Sequence, residues 1–270
     1  MTREQLVSLI RERSSLLCVG LDTDINKIPA HLRSAKNPLF EFNKAIIDAT
    51  AQYTVAFKIN TAFYEAHGAS GWEQMQLTAD YIGNSHFKIA DAKRGDIGNT
   101  ADMYARAFFS EMDFDSVTLS PYMGRDSIQP FLEYEDKWAI VLGHTSNQGA
   151  LDFQTIRTES GELLYEKMIM KMKDWSDRIM FVVGATKSEA FKSLRAICPQ
   201  HFFLVPGVGA QGGDMESVIR DGHNSDAGLL INSSRGIIYA SSESDFAEKA
   251  GMKAFQIQEE MRALLDKFGV

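Results

Sequence analysis

Three ionisable residues, Asp91, Lys93 and Asp96, lie within six positions of the segment FKIADAKRGDIGNTAD (87–102), and Lys58 stands in the earlier run VAFKIN (55–60). Read as strands, the two runs alternate their side chains. Ala56, Lys58 and Asn60 then share one face, and Phe87, Ile89, Asp91 and Lys93 share another. If both faces point inward, opposed charges enter one narrow space. Buried singly they are very costly, so they must neutralise one another or meet a charged ligand. A structural ion pair closing the end of a barrel is the plain alternative. A second chemical segment is LVPGVGAQGGD (204–214), whose four glycines between 206 and 214 permit close backbone approach and closure over a ligand. Soon after comes NSSRG (232–236), where the planar fork of Arg235 matches phosphate oxygens.

Positioning these groups requires regular elements. Eight short apolar runs, rich in β-branched and aromatic residues, end abruptly in polar or glycine residues: 16–22, 55–60, 86–93, 116–121, 138–146, 178–186, 201–207 and 227–235. They start roughly 30 residues apart, the length of a strand–helix unit. Amphipathic stretches at 39–51, 72–82, 97–112, 162–174, 188–197, 214–220 and 245–267, with a short one at 127–134, alternate with them. Residues 2–13 form an extra helix ahead of the repeat. The expectation is an α/β fold, a single (β/α)8 TIM barrel over 1–270 with an additional N-terminal helix. A doubly wound open sheet is the alternative, but no GxGxxG follows the first run and no Walker motif occurs.

In such a barrel the site lies at the strand C-terminal ends. The candidates there are Asp22, Lys58, Asn60, Asp91, Lys93, Ser120, Ser146, Thr186, Gln211 and Arg235. One such residue alone is an ordinary solvated strand end; their convergence on one rim is not. Loops after the seventh and eighth strands are the usual phosphate place, with backbone N–H groups as donors. In the segment after the third strand, Asn99 or Thr100 is expected to start the helix, with Asp102 in its first turn.

The chain of 270 residues carries a net charge of −8, with no basic run longer than two, which argues against nucleic acid as a partner. No stretch approaches the roughly 20 apolar residues of a membrane span, and the amphipathic start lacks the apolar core of a signal peptide. Cys18 and Cys198 are the two cysteines, both in apolar runs, so reduced thiols and a cytoplasmic setting are expected. The six histidines show no HxxxH spacing and there is no CxxC, so no metal site is indicated.

The run DAKRGDIGNT (91–100) resembles the DxKRxDIxxT signature of the orotidine 5′-phosphate decarboxylases, and LDTD (21–24), FKIN (57–60), HTSNQG (144–149), PGVGAQGGD (206–214) and SSRG (233–236) resemble further family segments in the family's order. Length and the TSNQG wording are similar to its longer bacterial branch. The resemblance implies a β/α barrel that dimerises with mouths facing and converts orotidine 5′-phosphate to UMP and CO2, the last step of UMP synthesis, without metal or organic cofactor. It makes Lys58, Asp91, Lys93 and Asp96 the catalytic array and Asp22 the ribose-binding residue. Asp96 and Thr100 would reach the neighbouring subunit's site. Ser146 would contact the pyrimidine, Gln211 would bridge base and phosphate, and Ser234 and Arg235 would serve the phosphate end. His144 and the loop 147–160 receive no role.

The implied chemistry explains the array. Losing CO2 from C6 leaves a poorly delocalised carbanion, which a fixed ammonium, Lys93, can stabilise and then protonate. Asp91 would lie beside the departing carboxylate, acting through repulsion or by holding Lys93. Three other readings remain: a metal-dependent phosphosugar lyase or decarboxylase of the same barrel superfamily, a Schiff-base aldolase using Lys58 or Lys93, and a non-catalytic nucleotide-binding protein.

Overall fold

The computed structural model describes residues 1–208 and 213–270, apart from the side chains of 187 and 188. Eight parallel strands close into a barrel in sequence order: β1 (Leu17–Gly20), β2 (Ala56–Asn60), β3 (Phe87–Arg94), β4 (Ser116–Leu119), β5 (Trp138–His144), β6 (Ile179–Val183), β7 (Phe203–Pro206) and β8 (Leu229–Ser233). The ring is sealed by β1 against β8, with Leu17 opposite Ile231 and Val19 opposite Ser233. Each apolar run supplies a strand, and its polar tail becomes the loop above it. One contiguous core joins the strands to the surrounding helices, with Phe57, Phe87, Trp138, Phe181 and Phe203 fully buried.

The amphipathic stretches form Pro38–Thr50, Gly68–Ile82, Gly98–Arg106, Leu164–Met172, Ser188–Ile197, Met215–Gly222 and Phe246–Phe268. The 97–112 stretch ends in a π-helical turn, Ala107–Glu111, that buries both Phe108 and Phe109. The 127–134 stretch is a 3₁₀ turn followed by the short helix Gln129–Leu132. Three further four-residue helices, Ala62–Glu65, Ala150–Phe153 and Arg235–Ile238, are too short to show periodicity in sequence.

The extra helix, Arg3–Arg13, opens with a capping box between Thr2 and Gln5. The Met1 ammonium meets Asp115 at 2.6 Å, and Arg3 meets Asp226 at 2.9 Å. Asp115 and Asp226 precede β4 and β8, so this helix lies across the end of the barrel opposite the mouth. Among the described residues no helix is long and apolar enough to cross a membrane.

The expected helix start at Asn99 or Thr100 is corrected. The helix begins at Gly98, with Ile97 as N-cap and no side-chain cap. Gly98 takes a positive φ of 56°, so the chain turns into the helix at a residue that tolerates this conformation, and Thr100 is exposed in the first turn.

Candidate active site

A cavity of about 540 Å³ opens at the mouth, lined from β1 through β8 and including Asp22, Lys58, Asn60, Asp91, Lys93 and Ser146. Ser234 and Arg235 line the same space. Its size suits a nucleotide-sized ligand.

The charged side chains form an alternating row. Lys58 Nζ lies 3.3 Å from Asp22 Oδ1 and 3.2 Å from Asp91 Oδ2, and Lys93 Nζ lies 2.6 Å from Asp91 Oδ1. Lys58 is buried, and burial opposes its ammonium, but the carboxylates of Asp22 and Asp91 outweigh that and raise its pKa above the ordinary range. Burial also opposes the Asp91 carboxylate; Lys58 and Lys93 outweigh it and hold the group at about 2. Lys58 and Asp91 are thus held in their charged forms, each buried charge compensated by its neighbours.

Two networks hold the ends of this row. The turn carrying Asp22 is fixed by Tyr64, whose hydroxyl donates to Leu21 O (3.0 Å), and by Tyr239, whose hydroxyl donates to Asp22 O (3.0 Å) and accepts from Asp24 N–H (2.7 Å). Buried Asn43 ties Tyr64 to Thr23. At the other end, pairing between β3 and β4 shifts register between Ala90 and Arg94, a bulge, and Lys93 adopts φ 48°. Thr118 on β4 fills this irregularity: its hydroxyl accepts from Lys93 N–H at 2.9 Å and donates to Asp91 Oδ1 at 3.0 Å.

Two glycines admit the neighbouring polar groups. A Cβ on Gly184 would stand 2.8 Å from the Ser146 backbone nitrogen, and one on Gly20 would stand 1.9 Å from Ser234 Oγ. Asn232 Nδ2 donates to Ser234 Oγ at 3.3 Å. Beside Ser146, the Gln154 amide accepts from Thr145 N–H at 2.9 Å and donates to Thr145 Oγ1 at 2.8 Å.

Not every candidate converges. Ser120 and Thr186 do not line the cavity; Thr186 falls in the 3₁₀ turn Ala185–Lys187, beyond the end of β6. Asp96 and Thr100 are also absent from the lining, and Asp96 Oδ1 accepts from the adjacent Ile97 N–H at 2.9 Å. Gln211 lies outside the described residues. His144 is buried and stacks on Tyr165 at 4.1 Å. Thr118, Asn232, Gln154, Leu142 and Val182 line the cavity without having been singled out in sequence. Strand composition alone did not distinguish Thr118 from an ordinary strand residue.

Residues 15–250 match the family described as Orotidine 5′-phosphate decarboxylase / HUMPS family. The chain belongs to that family. Proteins named orotidine 5′-phosphate decarboxylase from Flavobacterium johnsoniae and Christiangramia forsetii are 54% and 55% identical to it, the alignments covering 98% and 99% of this chain and 99% and 100% of theirs. Among solved structures, the Leishmania donovani OMP decarboxylase superposes with a TM-score of 0.83 at 36% identity, covering 98% of this chain and 99% of that one. Membership accounts for the order of the family segments around the mouth: those of β1, β2, β3, β5 and β8 each place a polar group in one cavity.

Proposed function

We infer that this chain decarboxylates orotidine 5′-phosphate to UMP and CO2 in pyrimidine nucleotide synthesis, its 270 residues acting as one catalytic unit. The observation that carries the reading is the Asp91 carboxylate gripped by two ammoniums, Lys58 from within and Lys93 from the cavity side, with Lys93 half exposed. In this reading the C6–carboxylate bond breaks with its electron pair left on C6. The Lys93 ammonium stabilises that charge and then delivers its proton to C6. The 2.6 Å contact favours Asp91 as the group that holds Lys93, with Lys58 neutralising the same carboxylate.

The remaining contacts lie away from C6. Asp22 is proposed for the ribose, Ser146 for the pyrimidine, Ser234 and Arg235 for the phosphate, and Gln211 for bridging base and phosphate. Such remote contacts orient the substrate and favour closure around it.

We also propose a homodimer with mouths facing, in which Asp96 and Thr100 enter the partner's site. The exposed side chains of Ile97, Met103, Tyr122 and Met123, on or near the segment carrying Asp96, support an apolar contact there. Burial holds the Cys18 and Cys198 thiols up at about 12, which fits reduced thiols in a cytoplasmic protein.

No organic cofactor and no metal enters this scheme. Among the described residues, no group of three or more His, Cys, Asp or Glu is placed to hold a metal ion, and Asp91 is already engaged by two lysines. The test is the ultraviolet loss of orotidylate with and without EDTA. Equal rates are expected. No turnover overturns the assignment, and chelator sensitivity turns it toward the metal-dependent phosphosugar enzymes of the same superfamily.

A further inference from the structure

The β3–β4 seam contains an arrangement that the catalytic roles above do not use. Ala90 pairs with Val117 and Arg94 with Leu119, so four steps along β3 oppose two along β4. Within this gap Lys93 N–H donates to a side chain, Thr118 Oγ1, at 2.9 Å. A hydroxyl has one proton to give. With Lys93 N–H occupying a lone pair, that proton is directed to Asp91 Oδ1, 3.0 Å away. The same Oδ1 receives Lys93 Nζ at 2.6 Å. The bonds make a closed ring: Lys93 backbone to Thr118 hydroxyl, hydroxyl to Asp91 carboxylate, and carboxylate to Lys93 ammonium.

We propose that Thr118 is a positioning residue for the decarboxylation, its hydroxyl fixing the Asp91 carboxylate to the bulged backbone of Lys93 and so aiming the Lys93 ammonium. Three features of the site give it this role. Thr118 lines the cavity yet is only 1% exposed, so its hydroxyl is committed to the protein groups around it. Its β-branched side chain has few rotamers, so the oxygen is held in place. And Lys93, at φ 48°, sits in a conformation rarely populated by residues other than glycine and therefore needs its neighbours to define it. Without the hydroxyl, Lys93 N–H loses its partner and the Asp91 carboxylate keeps only the ammoniums of Lys58 and Lys93, neither of which ties it to the Lys93 backbone.

The proposal rests on Lys93 being the group that serves C6, and its test separates the two ideas. Orotidylate turnover and UMP affinity are measured for the wild type, Thr118→Val, Thr118→Ala and Thr118→Ser. Valine keeps the shape without the hydroxyl, alanine keeps neither, and serine keeps the hydroxyl. Valine and alanine are expected to lower kcat by about 10- to 100-fold, the range for losing a supporting partner, with KM and UMP affinity within about threefold. Serine is expected to recover kcat to within about threefold of wild type. A valine variant with wild-type kcat overturns the proposal, as does a serine variant as slow as valine, because packing is then the role. If kcat and UMP affinity fall together in the hydroxyl-free variants, the site has collapsed and the positioning role is likewise overturned. An inactive wild type would overturn the decarboxylase reading itself.

Discussion

Lys93 and Asp91 form a close ion pair in the barrel mouth, 2.6 Å from ammonium to carboxylate, yet their side chains are 50% and 12% exposed. The carboxylate is fixed from behind by Lys58, while the ammonium keeps a face toward the cavity. A cation so held is oriented before substrate arrives, which is the condition for electrostatic stabilisation without reorganisation.

Removing that cation should stop the chemistry and spare much of the binding. Lys93→Ala is expected to lower kcat by at least about 10³-fold, since both charge stabilisation and proton delivery are lost. UMP titration should still show binding, because the ribose and phosphate contacts remain. A fully active Lys93→Ala protein would remove Lys93 from the mechanism.

Acid should act on Asp91 through stability. Its folded-state carboxyl is held below the ordinary 3.8, at about 2. The contribution is therefore complete above the ordinary value and is lost as pH falls toward about 2. Urea midpoints taken stepwise from pH 5 to pH 2.5 should fall more steeply for wild type than for Asp91→Asn; parallel curves would contradict the shift. On the alkaline side Lys58 is raised above its ordinary 10.5, so its contribution, full below that value, persists to a higher pH than an ordinary lysine allows.

Arg235, exposed on the cavity rim at the start of the helix Arg235–Ile238, is predicted to act on binding. Arg235→Ala should raise KM for the phosphorylated substrate by about 10-fold or more, the loss of one charge-assisted contact. An unchanged KM would take Arg235 out of the phosphate site.

Shared sites can be detected by mixing. Lys93→Ala and Asp96→Ala subunits are each expected to be inactive as homodimers. Random exchange makes half of the dimers mixed, each with one intact site, so about a quarter of wild-type activity should return. No recovery, with exchange confirmed by mass spectrometry, would mean that Asp96 does not cross the interface.

The barrel was legible because parallel strands buried on both faces read as continuous apolar runs that stop at polar residues. Alternation correctly placed Lys58, Asn60, Asp91 and Lys93 in one cavity. What it could not show was the bulge between Ala90 and Arg94, since register is decided by pairing across strands and not along one. Thr118 was hidden for the same reason: a buried threonine in SVTLS reads as ordinary strand composition until its neighbour is known. Ser120 and Thr186 err in the opposite direction. Both follow the last paired residue of their strand, where the two-residue alternation no longer governs direction. The pairing of Asp22 with Lys58 depends on tyrosines from distant helices and turns, Tyr64 and Tyr239, that no local spacing announces.

The meeting of Gly20 with Ser234 joins the earliest strand of the ring to the latest. The pocket therefore does not exist in part: until the eighth strand docks beside the first, the Asp22 end and the Ser234–Arg235 end of the cavity belong to unconnected pieces of chain. A nucleotide then has nothing to grip in an unfinished polypeptide and favours the completed one alone. Its occupancy is a readout of whether the ring has closed.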